Sequence, residues 1–124
     1  MLDRFATPGL LLVLTVAFGF WLSSQGKPYN GLLFNVHKLF ALGAVVLMVL
    51  QFSKSMESLH LNTLIITLLV VSAICAVALF ASGALMSLGK LDYTIVLLVH
   101  RIAMTTLVLV LILSVYLLIG NKYG

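Results

Sequence analysis

The feature that most restricts the fold of this 124-residue chain is a series of four long apolar stretches separated by short polar breaks. The stretches lie at roughly residues 7–25, 31–52, 61–88 and 93–120. Each reaches or approaches the ~20 residues that a helix needs to cross a bilayer. Backbone groups inside hydrocarbon must satisfy their own hydrogen bonds, and stretches this long and uniformly apolar do so as helices rather than as strands.

Composition excludes a water-soluble protein. Only 8% of the residues are charged and 63% are hydrophobic, whereas a soluble domain carries about 25% charge. The sequence leaves no room for a soluble catalytic or nucleic-acid-binding domain, and the formal charge of +4 is attributed to basic residues near lipid headgroups. We expect an integral membrane protein whose immediate partner is the lipid bilayer, located in a prokaryotic inner or plasma membrane.

Short connections force consecutive helices to run antiparallel. The predicted fold is therefore all-α, an up-down-up-down four-helix bundle that forms a single transmembrane domain over residues 1–124. The first stretch is interpreted as a retained helix and not as a cleaved signal peptide, because it is long and has no small-residue cleavage site before its polar break. The predicted helix-terminal residues are Thr7 and Pro8, Asn30, Asn62 or Ser58, Gly89, and Asp92.

One motif occurs twice. A Gly-Lys pair is followed ten residues later by a histidine with a basic neighbour, and corresponding residues are 63 positions apart. The two copies are Gly26, Lys27, His37 and Lys38 in the first half and Gly89, Lys90, His100 and Arg101 in the second. The chain is thus interpreted as two helical hairpins arranged as parallel repeats, which place shared sites at their interface. The rest of the repeat is weak, since Gly19 corresponds to Ser82 and Asn35 to Leu98. Duplication is therefore a hypothesis, and shared ligand geometry alone is the alternative explanation of the matching motif.

Equivalent positions in the two halves predict that His37 and His100 lie at the same depth, about 10 Å below one membrane face at 1.5 Å per residue. Two facing neutral imidazoles on diagonal helices are the axial ligands that a haem b requires. We therefore expect one haem b per chain, with His37 and His100 bound to iron. Lys38 and Arg101 are expected to pair with the two propionates, since buried cations without partners are costly.

Small residues on the first and third helices, Gly19, Ser82 and Gly83, are expected to make room for the ring, as are Ala41 and Ala103 beside the histidines. Two alternatives for the histidines remain open, a structural hydrogen bond between helices and a metal or proton pathway. His60 has no counterpart in the repeat. It is interpreted as a solvent-facing or capping residue, or as a group that accepts protons or contacts quinone. Cys75 is expected to be a packing residue.

Through His37-Lys38 and His100-Arg101 in a four-helix architecture, the chain resembles the b-type membrane cytochromes, a group that includes the cytochrome subunits of hydrogenases and formate dehydrogenases. The resemblance implies exchange of single electrons with quinone or a redox protein, and it leaves open whether the chain turns over a substrate. Members commonly bind two haems through four histidines, whereas this chain offers ligands for one. One haem near one face cannot relay electrons across a core of about 30 Å, so a partner subunit or a homodimer is expected.

Two other functions compete with this interpretation. One is a small proton or metal transporter or channel subunit that uses the paired histidines, and the other is a haem-free assembly or sensor subunit. The basic residues do not decide the membrane orientation, because including Lys38 and Arg101 in the count reverses the balance.

Overall fold

The computed structural model describes residues 2–26, 30–57 and 62–123. These residues form four helices and no strand, which confirms the predicted all-α class. The helices are α1 (Leu2–Gln25), α2 (Gly31–Glu57), α3 (Thr63–Leu88) and α4 (Tyr93–Tyr123). Each is long and apolar enough to cross a membrane, with candidate spans at Asp3–Gln25, Gly31–Lys54, Thr63–Leu88 and Tyr93–Gly120.

The chain divides into two compact units, Met1–Ser58 and Leu59–Gly124, and each unit is a helical hairpin. In the first hairpin the rings of Phe5 and Phe52 pack with their centroids 5.1 Å apart. Because Phe5 lies near the start of α1 and Phe52 near the end of α2, the two helices are antiparallel. Further along, the Phe18 ring stacks on Phe40 at 5.5 Å.

The second hairpin packs along a narrow seam of small and branched residues. Buried positions on α3 and α4 recur at intervals of three, four or seven residues, the spacing of a helix–helix seam. They are Ile65, Ser72, Cys75, Ser82 and Met86 on α3, and Val96, Ala103, Leu107, Leu111, Ser114 and Leu118 on α4. Small side chains in this seam let the backbones approach closely. The burial of Cys75 agrees with its expected packing role.

The outer surfaces of both hairpins are apolar. Leu39 on α2 and Val77 on α3 are each 69% exposed, and many other large aliphatic side chains are similarly uncovered. A soluble protein rarely exposes such contiguous apolar surface. These surfaces match the hydrocarbon of a bilayer, as the composition predicts.

The predicted caps of α2, α3 and α4 are confirmed. In each case a side-chain oxygen of the residue before the helix accepts hydrogen bonds from backbone N–H groups of the first turn, which otherwise lack partners. The shortest of these bonds are Asn30 to Leu32 at 3.0 Å, Asn62 to Ile65 at 2.9 Å, and Asp92 to Thr94 at 2.9 Å.

The glycines of the repeated motif also have matching backbone conformations. Gly26 follows α1 and Gly89 follows α3, and both have a φ of +69°. This left-handed conformation is favourable for glycine and ends a helix. The two glycines are therefore alike in backbone conformation as well as in sequence position.

The first helix differs from expectation. α1 begins at Leu2, so the predicted cap at Thr7 is wrong and Pro8 lies inside the helix, fully buried. Asp3 lies in the first turn, where its negative charge stabilises the positive end of the helix dipole. Proline usually marks a helix start, so the sequence signal at Pro8 was misleading. α2 also continues past the expected end near residue 52, to Glu57.

Candidate functional site

His37 is the seventh residue of α2 and is half-buried against α1. Its Nδ1 atom lies 2.9 Å from the backbone carbonyl oxygen of Thr15. A carbonyl oxygen can only accept, so Nδ1 carries the proton in this hydrogen bond. In a neutral imidazole the other nitrogen then holds the lone pair. The first hairpin thus selects the tautomer in which Nε2 is the basic atom.

Gly19 makes this contact sterically feasible. It lies one turn after Thr15 on α1, and a Cβ atom built on it would come 2.8 Å from Cε1 and 3.3 Å from Nδ1 of His37. Carbon atoms do not approach this closely, so any side chain here would displace the imidazole. Gly19 was expected to leave room beside the candidate ligand. In the structure this space lets the His37 imidazole contact the backbone of α1.

His100 is the eighth residue of α4 and is half-buried against α3. Its Nδ1 atom lies 2.8 Å from the hydroxyl oxygen of Ser82, which is itself 3.1 Å from the carbonyl oxygen of Leu79. The hydroxyl has one proton, and the Leu79 carbonyl can only accept it. Both bonds form when Ser82 donates to Leu79 and Nδ1–H of His100 donates to Ser82, which again leaves the lone pair on Nε2.

Gly83 is less constrained than Gly19. A Cβ atom at this position would lie 3.8 Å from Cε1 of His100, an ordinary van der Waals distance. Gly83 therefore lies beside the imidazole, as expected from the sequence, but the second hairpin would accept an alanine there.

The two basic neighbours of the histidines, Lys38 and Arg101, were expected to be buried, but the structure has both side chains exposed. The ammonium of Lys38 lies 4.6 Å from the centroid of the Phe34 ring, one turn closer to the start of α2. This cation–π contact holds the ammonium toward the N-terminal end of α2, as is typical of a lysine that extends to a membrane interface. Arg101 follows His100 in the same way, and its backbone carbonyl accepts a hydrogen bond from Thr105 at 3.0 Å.

His60, the third histidine of the chain, lies outside the described residues. Asn35, two residues before His37, is exposed. Within the described part of the chain, no group of three or more His, Cys, Asp or Glu side chains could hold a metal ion.

Two hydrogen-bond acceptors were missed by the sequence reasoning. Thr15 contributes a backbone carbonyl, which its side-chain identity does not reveal, and its own hydroxyl bonds to Leu11 at 2.7 Å. Ser82 was expected only to leave room. The 63-residue offset, which pairs Ser82 with Gly19 as it pairs His100 with His37, was the available signal.

Comparison of the chain with protein-family models, curated proteins and solved structures gives no match. The assignment of a function therefore rests on the residues and geometry of the two hairpins.

Proposed function

We propose that this protein is a small b-type membrane cytochrome in which His37 and His100 are the axial ligands of one haem b. In this proposal each hairpin contributes one imidazole, and the protein exchanges single electrons with quinone or with a redox protein of a prokaryotic inner or plasma membrane. The protein acts as a homodimer or as a subunit of a larger redox complex. Bound haem would supply one-electron redox chemistry at its iron.

The observation that carries the proposal is that both imidazoles make the same kind of hydrogen bond through Nδ1. Each donates Nδ1–H to the preceding helix of its own hairpin, at 2.9 Å for His37 and 2.8 Å for His100. Histidines that bind metals typically donate their second nitrogen to a carbonyl or similar acceptor, which fixes the tautomer and the ring orientation. In the proposal, Nε2 of each histidine is the atom that binds the iron.

The surroundings fit the same function. The candidate ligands lie within membrane-length helices, where an ionisable residue is costly and usually functional. Each is followed by an exposed cation, Lys38 or Arg101, near the start of its helix. In the proposal these cations bind the propionates. Two imidazole ligands occupy both axial positions, which favours electron transfer over chemistry on a substrate at iron.

The visible spectrum of the detergent-purified chain tests the proposal. We expect a low-spin b-type spectrum, oxidised and reduced, that is lost or becomes high-spin in His37→Ala and in His100→Ala. His60→Ala is the matched control, because it removes the third histidine and should leave the spectrum unchanged. A chain that stays haem-free when expressed with ample haem overturns the cytochrome function and favours a transporter or an assembly subunit.

A further inference from the structure

Gly19 and Ser82 break the sequence repeat but occupy the same place in it. They are 63 positions apart, as are the two histidines. In its own hairpin each lies against an imidazole: Gly19 within van der Waals range of His37, and Ser82 in a 2.8 Å hydrogen bond with His100. Two different residue types, glycine and serine, therefore occupy equivalent positions, and each lies beside the histidine of its own hairpin.

In the first hairpin the acceptor belongs to the backbone. The carbonyl of Thr15 lies one turn before Gly19, and the missing side chain at Gly19 lets His37 reach it. A side chain at position 19 would overlap the imidazole by its Cβ atom alone, whatever polar group it carried beyond that atom.

In the second hairpin the acceptor belongs to the side chain. Ser82 is 4% exposed, and its hydroxyl connects Leu79 to His100. The position equivalent to Thr15 is Ala78, which has its carbonyl one turn before Ser82. Ser82 carries a Cβ atom at the position that glycine leaves open in the first hairpin.

We infer that Gly19 and Ser82 are the positioning residues that set the tautomer of His37 and His100, by two interchangeable routes. Glycine exposes the carbonyl one turn earlier, and serine supplies its own oxygen. Ser82 is thus replaceable by glycine, which transfers His100 to the carbonyl of Ala78, but not by alanine, which fits the space and offers no acceptor. The reverse exchange, Gly19→Ser, fails because its Cβ atom displaces His37.

The ligand role of these imidazoles rests on the proposed function, whereas their tautomers exist without haem. The test is therefore nitrogen-15 NMR of the haem-free, full-length chain in detergent at alkaline pH, where imidazole is neutral. The background is His60→Ala, which leaves two of the three histidines. We expect both to carry the proton on Nδ1. Ser82→Ala should move the proton of His100 to Nε2, and Ser82→Gly should keep it on Nδ1.

Controls come from the same helices. Ser72→Ala removes a buried hydroxyl that bonds within its own helix, to Leu68 at 2.9 Å. It should leave both tautomers unchanged. Gly9→Ala adds a methyl group to α1 with nothing within 4 Å. The proton of His37 should stay on Nδ1 in Gly9→Ala, whereas it should leave Nδ1 in Gly19→Ser. Helical circular dichroism confirms that each variant is folded.

Two results overturn the inference. In one, His100 keeps its proton on Nδ1 in Ser82→Ala. In the other, the proton of His100 moves to Nε2 in Ser82→Gly, as it should in Ser82→Ala. A His37 that keeps Nδ1–H in Gly19→Ser overturns the part that concerns the first hairpin. In the haem-loaded chain, Ser82→Ala should weaken haem binding about 10- to 100-fold, the usual effect of losing a ligand's orienting partner. A wild-type chain that has these tautomers but does not take up added haem refutes the proposed function and supports the positioning role.

Discussion

The imidazole of His37 lies so close to Gly19 that a Cβ atom on the glycine would come 2.8 Å from its Cε1 atom. This approach brings Nδ1 to 2.9 Å from the carbonyl oxygen of Thr15. The absence of a side chain at one position of α1 therefore determines which nitrogen of a residue on α2 carries the proton.

Gly19→Ala is expected to destabilise the first hairpin by about 1–3 kcal/mol, the usual cost of overpacking a close contact. It should also lower the haem content, since the imidazole must move to avoid the methyl group. Thermal unfolding in detergent and the absorbance ratio of haem to protein measure the two effects. Gly9→Ala, on the same helix with nothing within 4 Å, is the control. Equal stability of the two variants would falsify the steric argument.

Leu118→Ala is expected to destabilise the second hairpin by about 2 kcal/mol, near the low end for a buried leucine. Leu118 is completely buried on α4, and its truncation leaves a cavity in the seam. The transfer contribution is small because lipid is as apolar as the protein interior. Leu109→Ala, on the same helix and 63% exposed, should be close to neutral in the same denaturation assay. A cost at Leu109 that equals the cost at Leu118 contradicts the burial pattern.

Lys38→Gln is expected to shift the haem midpoint potential in the negative direction by tens of millivolts. Removing a positive charge near the proposed propionates favours the oxidised iron, and an interaction of about 1 kcal/mol is reasonable in a partly solvated site. Redox titration followed at the reduced haem band measures the shift. Lys54→Gln removes the same charge from the last turn of α2 and should leave the potential unchanged. A positive shift, or equal shifts in both variants, is the contrary outcome.

Trp21 provides a fluorescence test, since it is the only tryptophan. It lies near the end of α1, two residues after Gly19, is 53% exposed and stacks on Phe18 with a centroid distance of 5.9 Å. Haem bound at His37 should quench its emission strongly. Titration of haem into the haem-free chain measures the quenching. The same titration of His37→Ala should show weaker quenching and no saturation at one haem per chain.

The local structure was largely predictable. Helix formation follows from apolar stretches that must satisfy their own backbone in a membrane, and the caps at Asn30 and Asp92 follow from side chains that bond to nearby N–H groups. The glycine endings of α1 and α3 follow from the left-handed conformation that glycine adopts. The start of α1 did not, because Pro8, a residue type that usually marks a first turn, lies buried inside the helix.

The sequence by itself determined the four membrane-length helices and the equivalent positions of His37 and His100, because hydropathy, capping and the repeat are properties of the chain that need no partner. Only the tertiary structure decided what orients the two imidazoles. A backbone carbonyl has no sequence signature, and whether it accepts a hydrogen bond from another helix depends on how closely the two backbones approach. Thr15 and Ser82 thus became acceptors through packing within each hairpin, which brings their oxygens within 3 Å of the histidine nitrogens.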